Sequence, residues 1–205
     1  MSGRGAARRA AGGGVPVEFH KSAGGRYHSV LQRADGVSVR LEGGSYNRIG
    51  GAVERVPHDI AHLVVEDAFA LRAGLWGVLA DGGTVQNASV VAGRRPPHAE
   101  RRATEIAQRA AESLRQAEIL VRAVADATLE PSGGDIPAFR ARVGDRWWSP
   151  SITADALAVA CTRLREAAVR WDAVPEGSVL VLRWSPGTSA PLQRRATARP
   201  GRHGS

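Results

Sequence analysis

Tyr27-His28-Ser29-Val30-Leu31-Gln32-Arg33, then Ala34-Asp35-Gly36, then Val37-Ser38-Val39-Arg40-Leu41 is the passage that decides the fold. Two β-rich runs flank an Asp-Gly turn, the short-range signature of a hairpin. Val37, Val39 and Leu41 alternate with polar residues, so the second run has one face for a core and one for water. Upstream, Val17 and Phe19 alternate in the same way over residues 15–20, and Gly24-Gly25 makes a turn. Three strands therefore form an antiparallel meander. Far downstream, Ser178-Val179-Leu180-Val181-Leu182-Arg183-Trp184 follows the turn Pro175-Glu176-Gly177. This run is more apolar than the others and is expected to join the meander as a well-buried strand.

Between these strands the period changes from two to about three and a half. From His98 to about Ala127, Ile106, Ala110, Leu114, Ala117, Val121 and Val124 recur at helical spacing, which predicts one long helix. Glu105/Arg109 and Glu118/Arg122 fall as i,i+4 pairs on its exposed side. A further helix is expected from about Thr153 to Trp171, with Leu157, Ala160, Leu164 and Ala168 inward. Residues 84–97 read as irregular. Gly74 and Gly77 flank Trp76, which implies close packing around an aromatic anchor before a short helix ending at Gly82-Gly83. The expected fold is α+β, a small antiparallel sheet (the N-terminal meander plus a C-terminal strand) with about four helices on one face.

Composition places the fold in residues 15–185. The 205-residue chain carries a formal charge of +8, but residues 1–14 and 186–205 hold Arg4, Arg8, Arg9, Arg194, Arg195, Arg199 and Arg202 with no acid. These account for most of the excess and leave a nearly neutral body. Both tails are rich in Gly, Ala, Pro and Arg and read as disordered. Lys21 is the only lysine; such an arginine bias fits a GC-rich genome better than a selected nucleic-acid arm. Cys161 is the only cysteine and falls on an apolar helical face with Leu157, Leu164 and Ala168, as a buried thiol does. No run is long enough to span a membrane, and the N-terminus lacks the apolar segment of a signal peptide, so a cytoplasmic protein is expected.

One stretch carries chemistry. Pro57-His58-Asp59-Ile60-Ala61-His62-Leu63-Val64-Val65-Glu66 reads as a helix, with Pro57 at its start and Asp59 in its first turn. His58, Asp59, His62 and Glu66 share one polar stripe, opposite Ile60, Ala61, Val64, Val65, Ala68 and Leu71. Imidazoles four residues apart sit one turn apart and can grip one divalent metal, zinc before others. The candidate ligands are His58, His62 and Glu66, and Asp59 is the candidate catalytic base. Glu66 lies about 12 Å along the axis from His58, so it would serve either by orienting His62 or in a site shifted toward His62. A third ligand must come from elsewhere, and His20, His28, Glu42, Glu54 and His98 are the candidates.

The pattern Pro57-His58-Asp59-x-x-His62-x-x-Val65-Glu66, with Leu71-Arg72-x-Gly74-x-Trp76-Gly77 and the later Arg170-Trp171-x-x-x-Pro175-x-Gly177, resembles a group of uncharacterised proteins common in GC-rich bacteria. The His-Asp-x-x-His core is also similar to the metal motif of the ubiquinone-biosynthesis protein family Coq4. There a downstream glutamate completes the site, and Gly74 stands at that place here. The resemblance implies a bound zinc or similar ion. The reading is a divalent-metal-binding protein, hydrolase-like, acting on a small-molecule or peptide substrate, with no membrane and no dedicated nucleic-acid partner. The alternative is a non-catalytic interaction module whose His/Asp/Glu stripe is structural or faces solvent. No phosphate-binding G-x-x-x-x-G-K-[ST] loop, G-x-S-x-G elbow or cysteine pair offers another chemistry.

Overall fold

A computed structural model describes residues 14–48, 55–130 and 135–185. The anticipated tails thus fall outside the described residues, apart from Gly14. Strands β1 (Val15–Lys21), β2 (Tyr27–Gln32) and β3 (Ser38–Glu42) form the meander. Its hairpin closes as the sequence requires, with Gly36 at φ 81° and Val37 N donating to Asp35 Oδ1 at 3.1 Å. Next come β4 (Tyr46–Arg48), β5 (Arg55–Pro57), α1 (His58–Ala68), α2 (Leu75–Ala80) and β6 (Ala88–Ala92). The chain continues through α3 (Ala99–Arg109), α4 (Ala111–Ala127), α5 (Ile136–Val143), α6 (Ala154–Asp172) and β7 (Val179–Trp184).

The architecture is α+β. Five antiparallel strands run in the order β6-β3-β2-β1-β7, and β4 and β5 form a separate two-stranded ribbon. Alternation sends Val17, Phe19, Tyr27, Ser29, Leu31, Val39, Leu41, Leu180, Leu182 and Trp184 to one face, where all are buried. The opposite face carries Glu18, His20, His28, Arg40 and Glu42.

Four expectations change. Residues 84–97 are not wholly irregular, because Ala88–Ala92 forms the strand β6 beside β3, with a register shift at Ser38/Val39. β7 joins the meander beside β1 as expected, but as an edge strand buried on one face, with Val179 and Val181 42% and 50% exposed. Its near-continuous apolar run masks a two-residue alternation. The long helix is two helices meeting at Ala110, since α3 buries no residue whereas α4 buries seven and must follow the core. With α5, that makes six α-helices among the described residues rather than about four.

The fourth change concerns α1. The sequence predicts a polar stripe opposite an apolar side, but every residue from Asp59 to Glu66 is buried, those of the stripe included. α1 packs against α2, α4, α6 and β7 at once. Its apolar side faces the sheet and α6, and its histidines face α4. The helix also ends earlier than the periodicity suggests. Ala70 adopts φ 54°, while Ala70 N donates to Asp67 O and Leu71 N to Glu66 O. That pairing is a Schellman stop, built here on alanine where glycine is usual.

Candidate metal centre

His58 and His62 lie one turn apart on α1, and their rings meet edge to face with centroids 4.6 Å apart. His62 Nε2 stands 3.1 Å from His58 Nε2. Across from them Glu118, on α4, sets Oε2 3.1 Å from His58 Nε2 and Oε1 3.2 Å from His62 Nε2. One donor atom from each of the three residues can be chosen so that all lie within 4.8 Å of one another. The nitrogen–nitrogen separation is close to the edge of about 3.3 Å expected of a tetrahedron with metal–nitrogen bonds of about 2.0–2.1 Å. Two imidazole nitrogens and a carboxylate oxygen also form a donor set that divalent zinc accepts.

Each ring is fixed from behind. His62 Nδ1–H donates to Glu66 Oε1 at 3.0 Å, and both side chains are fully buried. This bond leaves the Nε2 lone pair of His62 for the centre, the arrangement typical of metal-bound histidine. Glu66 is itself held by Leu75 N at 2.6 Å and Trp76 N at 3.1 Å, the first N–H groups of α2. Those N–H groups have no partner within their own helix, and a carboxylate satisfies them. His58 Nδ1 lies 3.1 Å from Asn47 Nδ2 on β4. In this orientation Asn47 donates and His58 keeps its proton on Nε2, toward Glu118. Turning the amide over presents oxygen instead, which moves the His58 proton to Nδ1 and frees Nε2 for a cation.

The electrostatics are those of a crowded anion–imidazole cluster. Burial works against a charged His62, but hydrogen bonds and charge from Glu118 and Glu66 outweigh it and push its pKa up to about 9. Hydrogen bonds from His58 and then His62 hold the Glu118 carboxyl well below the usual carboxylate range. Three groups that each offer lone pairs have converged, and positive charge has to lie between them, as protons or as a metal ion.

The anticipated residues divide as follows. His58 and His62 converge. Glu66 orients His62, with its two oxygens taken by His62, Leu75 and Trp76. Asp59 is turned toward the sheet, where Ser29 Oγ donates to its Oδ2 at 2.8 Å. Burial pushes its carboxyl up, against the Ser29 hydrogen bond and the two histidines. It is not among the residues whose donor atoms converge. The anticipated third ligands that lie among the described residues are not there either. His20 and His28 stack on each other at 4.5 Å on the outer sheet face, and Glu42 pairs with Arg40. His98 precedes α3, and Glu54 lies outside the described residues.

Glu118 and Asn47 were not anticipated. Glu118 read as the partner of Arg122, and that pair is not made among the described residues. A signal was nonetheless present. Glu118 is the lone carboxylate in the row Leu114, Glu118, Val121, Ala125, which otherwise reads as apolar helix face. Asn47 sits on a three-residue strand with no periodicity to mark it. Comparison of the chain with protein-family models, with curated proteins and with solved structures gives no match.

Proposed function

We propose that the chain is a divalent-metal-binding protein with His58, His62 and Glu118 as ligands, and that the metal is zinc in a hydrolase-like site. The observation that carries this is the convergence of two Nε2 atoms 3.1 Å apart with one oxygen of a single carboxylate against each. His58, His62 and Glu118 would hold the ion, and zinc bound there would supply Lewis-acid activation of water. The chain's own residues do the rest. Glu66 sets the orientation and tautomer of His62, Asn47 does the same for His58 when its amide oxygen faces Nδ1, and α2 holds Glu66 in place. His58 and Glu118, with side chains 26% and 60% exposed, open the centre to solvent on one side, while His62 seals the other.

Asp59 enters this proposal as a link between α1 and β2 through Ser29 rather than as the base. A second reading rests on the raised pKa of His62. A protonated His62 between Glu66 and Glu118 satisfies all three groups without a metal and ties α1, α2 and α4 together. Metal content separates the two. Wild-type protein purified from zinc-supplemented medium is expected to carry about one zinc per chain by plasma mass spectrometry. His58→Ala/His62→Ala and Glu118→Ala are expected to carry a small fraction of that. Equal zinc in wild type and the double variant refutes the centre.

No helix in the described residues is long and apolar enough to cross a membrane. We keep a small organic molecule or a peptide as the proposed substrate.

A further inference from the structure

Beside the centre lies an open cleft of about 620 Å³, with Tyr46, Asn47 and Arg48 of β4 on one side and Ile119 and Arg122 of α4 on the other. His58 and Glu118 both line it, so two of the three candidate ligands face into the cleft. Its volume lies in the range of about 300–1,000 Å³ typical of small-molecule sites. A second cavity of about 430 Å³, with Arg33, Arg95 and Arg102 in its wall, contains none of the three converging residues.

Charge tells what the cleft suits. On an ordinary helix surface Glu118 and Arg122, four residues apart, would neutralise each other. Here Glu118 is drawn to the two histidines. Arg122 is left lining the cleft and makes no ion pair among the described residues. Arg48, across the cleft, likewise makes none. Among the described residues, Asp126 is the one remaining carboxylate in the wall once Glu118 is committed. Among these described wall residues, two guanidinium groups against one carboxylate leave an excess of positive charge, and the planar guanidinium fork suits oxyanions. Ile119, Ala125 and Leu129 add an apolar strip, with Leu129 49% exposed.

We propose that this cleft binds a small organic oxyanion, a carboxylate or phosphate on a short apolar body. Arg122 and Arg48 hold the anionic group, and the apolar strip holds the body. The proposal rests on the reading of His58, His62 and Glu118 as the centre toward which the rest of the molecule points.

The test is a nitrogen–proton NMR titration of the full chain with phenyl phosphate, benzoate and the neutral benzamide, each with zinc-loaded and with EDTA-treated protein. Phenyl phosphate or benzoate is expected to bind at least tenfold more tightly than benzamide, and the tighter of the two names the oxyanion. Arg48→Gln/Arg122→Gln is expected to weaken that probe at least tenfold in both forms of the protein. Benzamide binding as well as the anions, an unchanged affinity in the double variant, or no resonance shift with any probe overturns the proposal. Zinc uptake is measured on the same wild-type sample. Failure to take up zinc contradicts the metal reading, while the arginine dependence in EDTA still tests the cleft.

Discussion

At the scale of single residues, His62 concentrates the consequences. Its folded-state pKa of about 9 lies above the ordinary value of 6.5. In metal-free protein a raised pKa contributes stability in full below pH 6.5, and this is lost as pH rises through about 9. Thermal unfolding in EDTA should therefore show a melting temperature that falls between pH 6.5 and 9.5. In His62→Gln the fall over that window should disappear. Glu118 acts at the other end, since its lowered pKa makes its contribution vanish as pH drops below the usual carboxylate range. Ala70 offers a separate test. A non-glycine residue in the left-handed region costs about 1–2 kcal/mol, so Ala70→Gly should stabilise the fold by about 1 kcal/mol. Urea unfolding measures it, and a loss of stability would show that the Schellman stop is misassigned.

At the scale of elements, the pattern from His58 to Gly77 is one piece of machinery. α1 supplies both histidines and Glu66, and the link to α2 returns the chain so that Leu75 N and Trp76 N bind that carboxylate. Gly74 makes the approach possible, since a Cβ there would stand 2.3 Å from Glu66 Cδ. Gly77 serves the same end, since a Cβ would stand 1.8 Å from the Arg72 carbonyl oxygen. Trp76 is fully buried, donates from Nε1 to Asp59 O at 3.0 Å and meets Phe19 edge-on. Gly74→Ala must therefore push the Glu66 carboxylate aside. It should cost about 1–3 kcal/mol by overpacking and lower zinc affinity about 10–100-fold through the loosened His62. Competition with a chromophoric chelator reads the affinity, and circular dichroism melting reads the stability. Unchanged zinc affinity in a folded variant would show that Glu66 does not orient His62.

At the scale of the whole molecule, the sequence was readable wherever one local period set the outcome. The meander, the strand at Val179–Trp184, the helix at Ala154–Asp172 and the histidine pair all followed from alternation or from three-to-four spacing. What was hidden depended on contacts distant in sequence. Glu118 lies 60 residues from His58 and looked like half of a surface ion pair. The burial of α1 could not be read from its own residues, because His62 and Glu66 become tolerable inside only once α2 and α4 supply partners. β6 escaped notice because a five-residue edge strand of Ala, Ser and Val carries too short a pattern. The same long-range convergence is what the metal reading depends on, so the decisive measurement is spatial. Crystals of the wild-type protein grown with zinc should give an anomalous difference peak at the zinc absorption edge about 2.0–2.1 Å from both His58 Nε2 and His62 Nε2, with a Glu118 oxygen in the same shell. A zinc-saturated crystal with no peak there, or with zinc only at other side chains, would contradict the account.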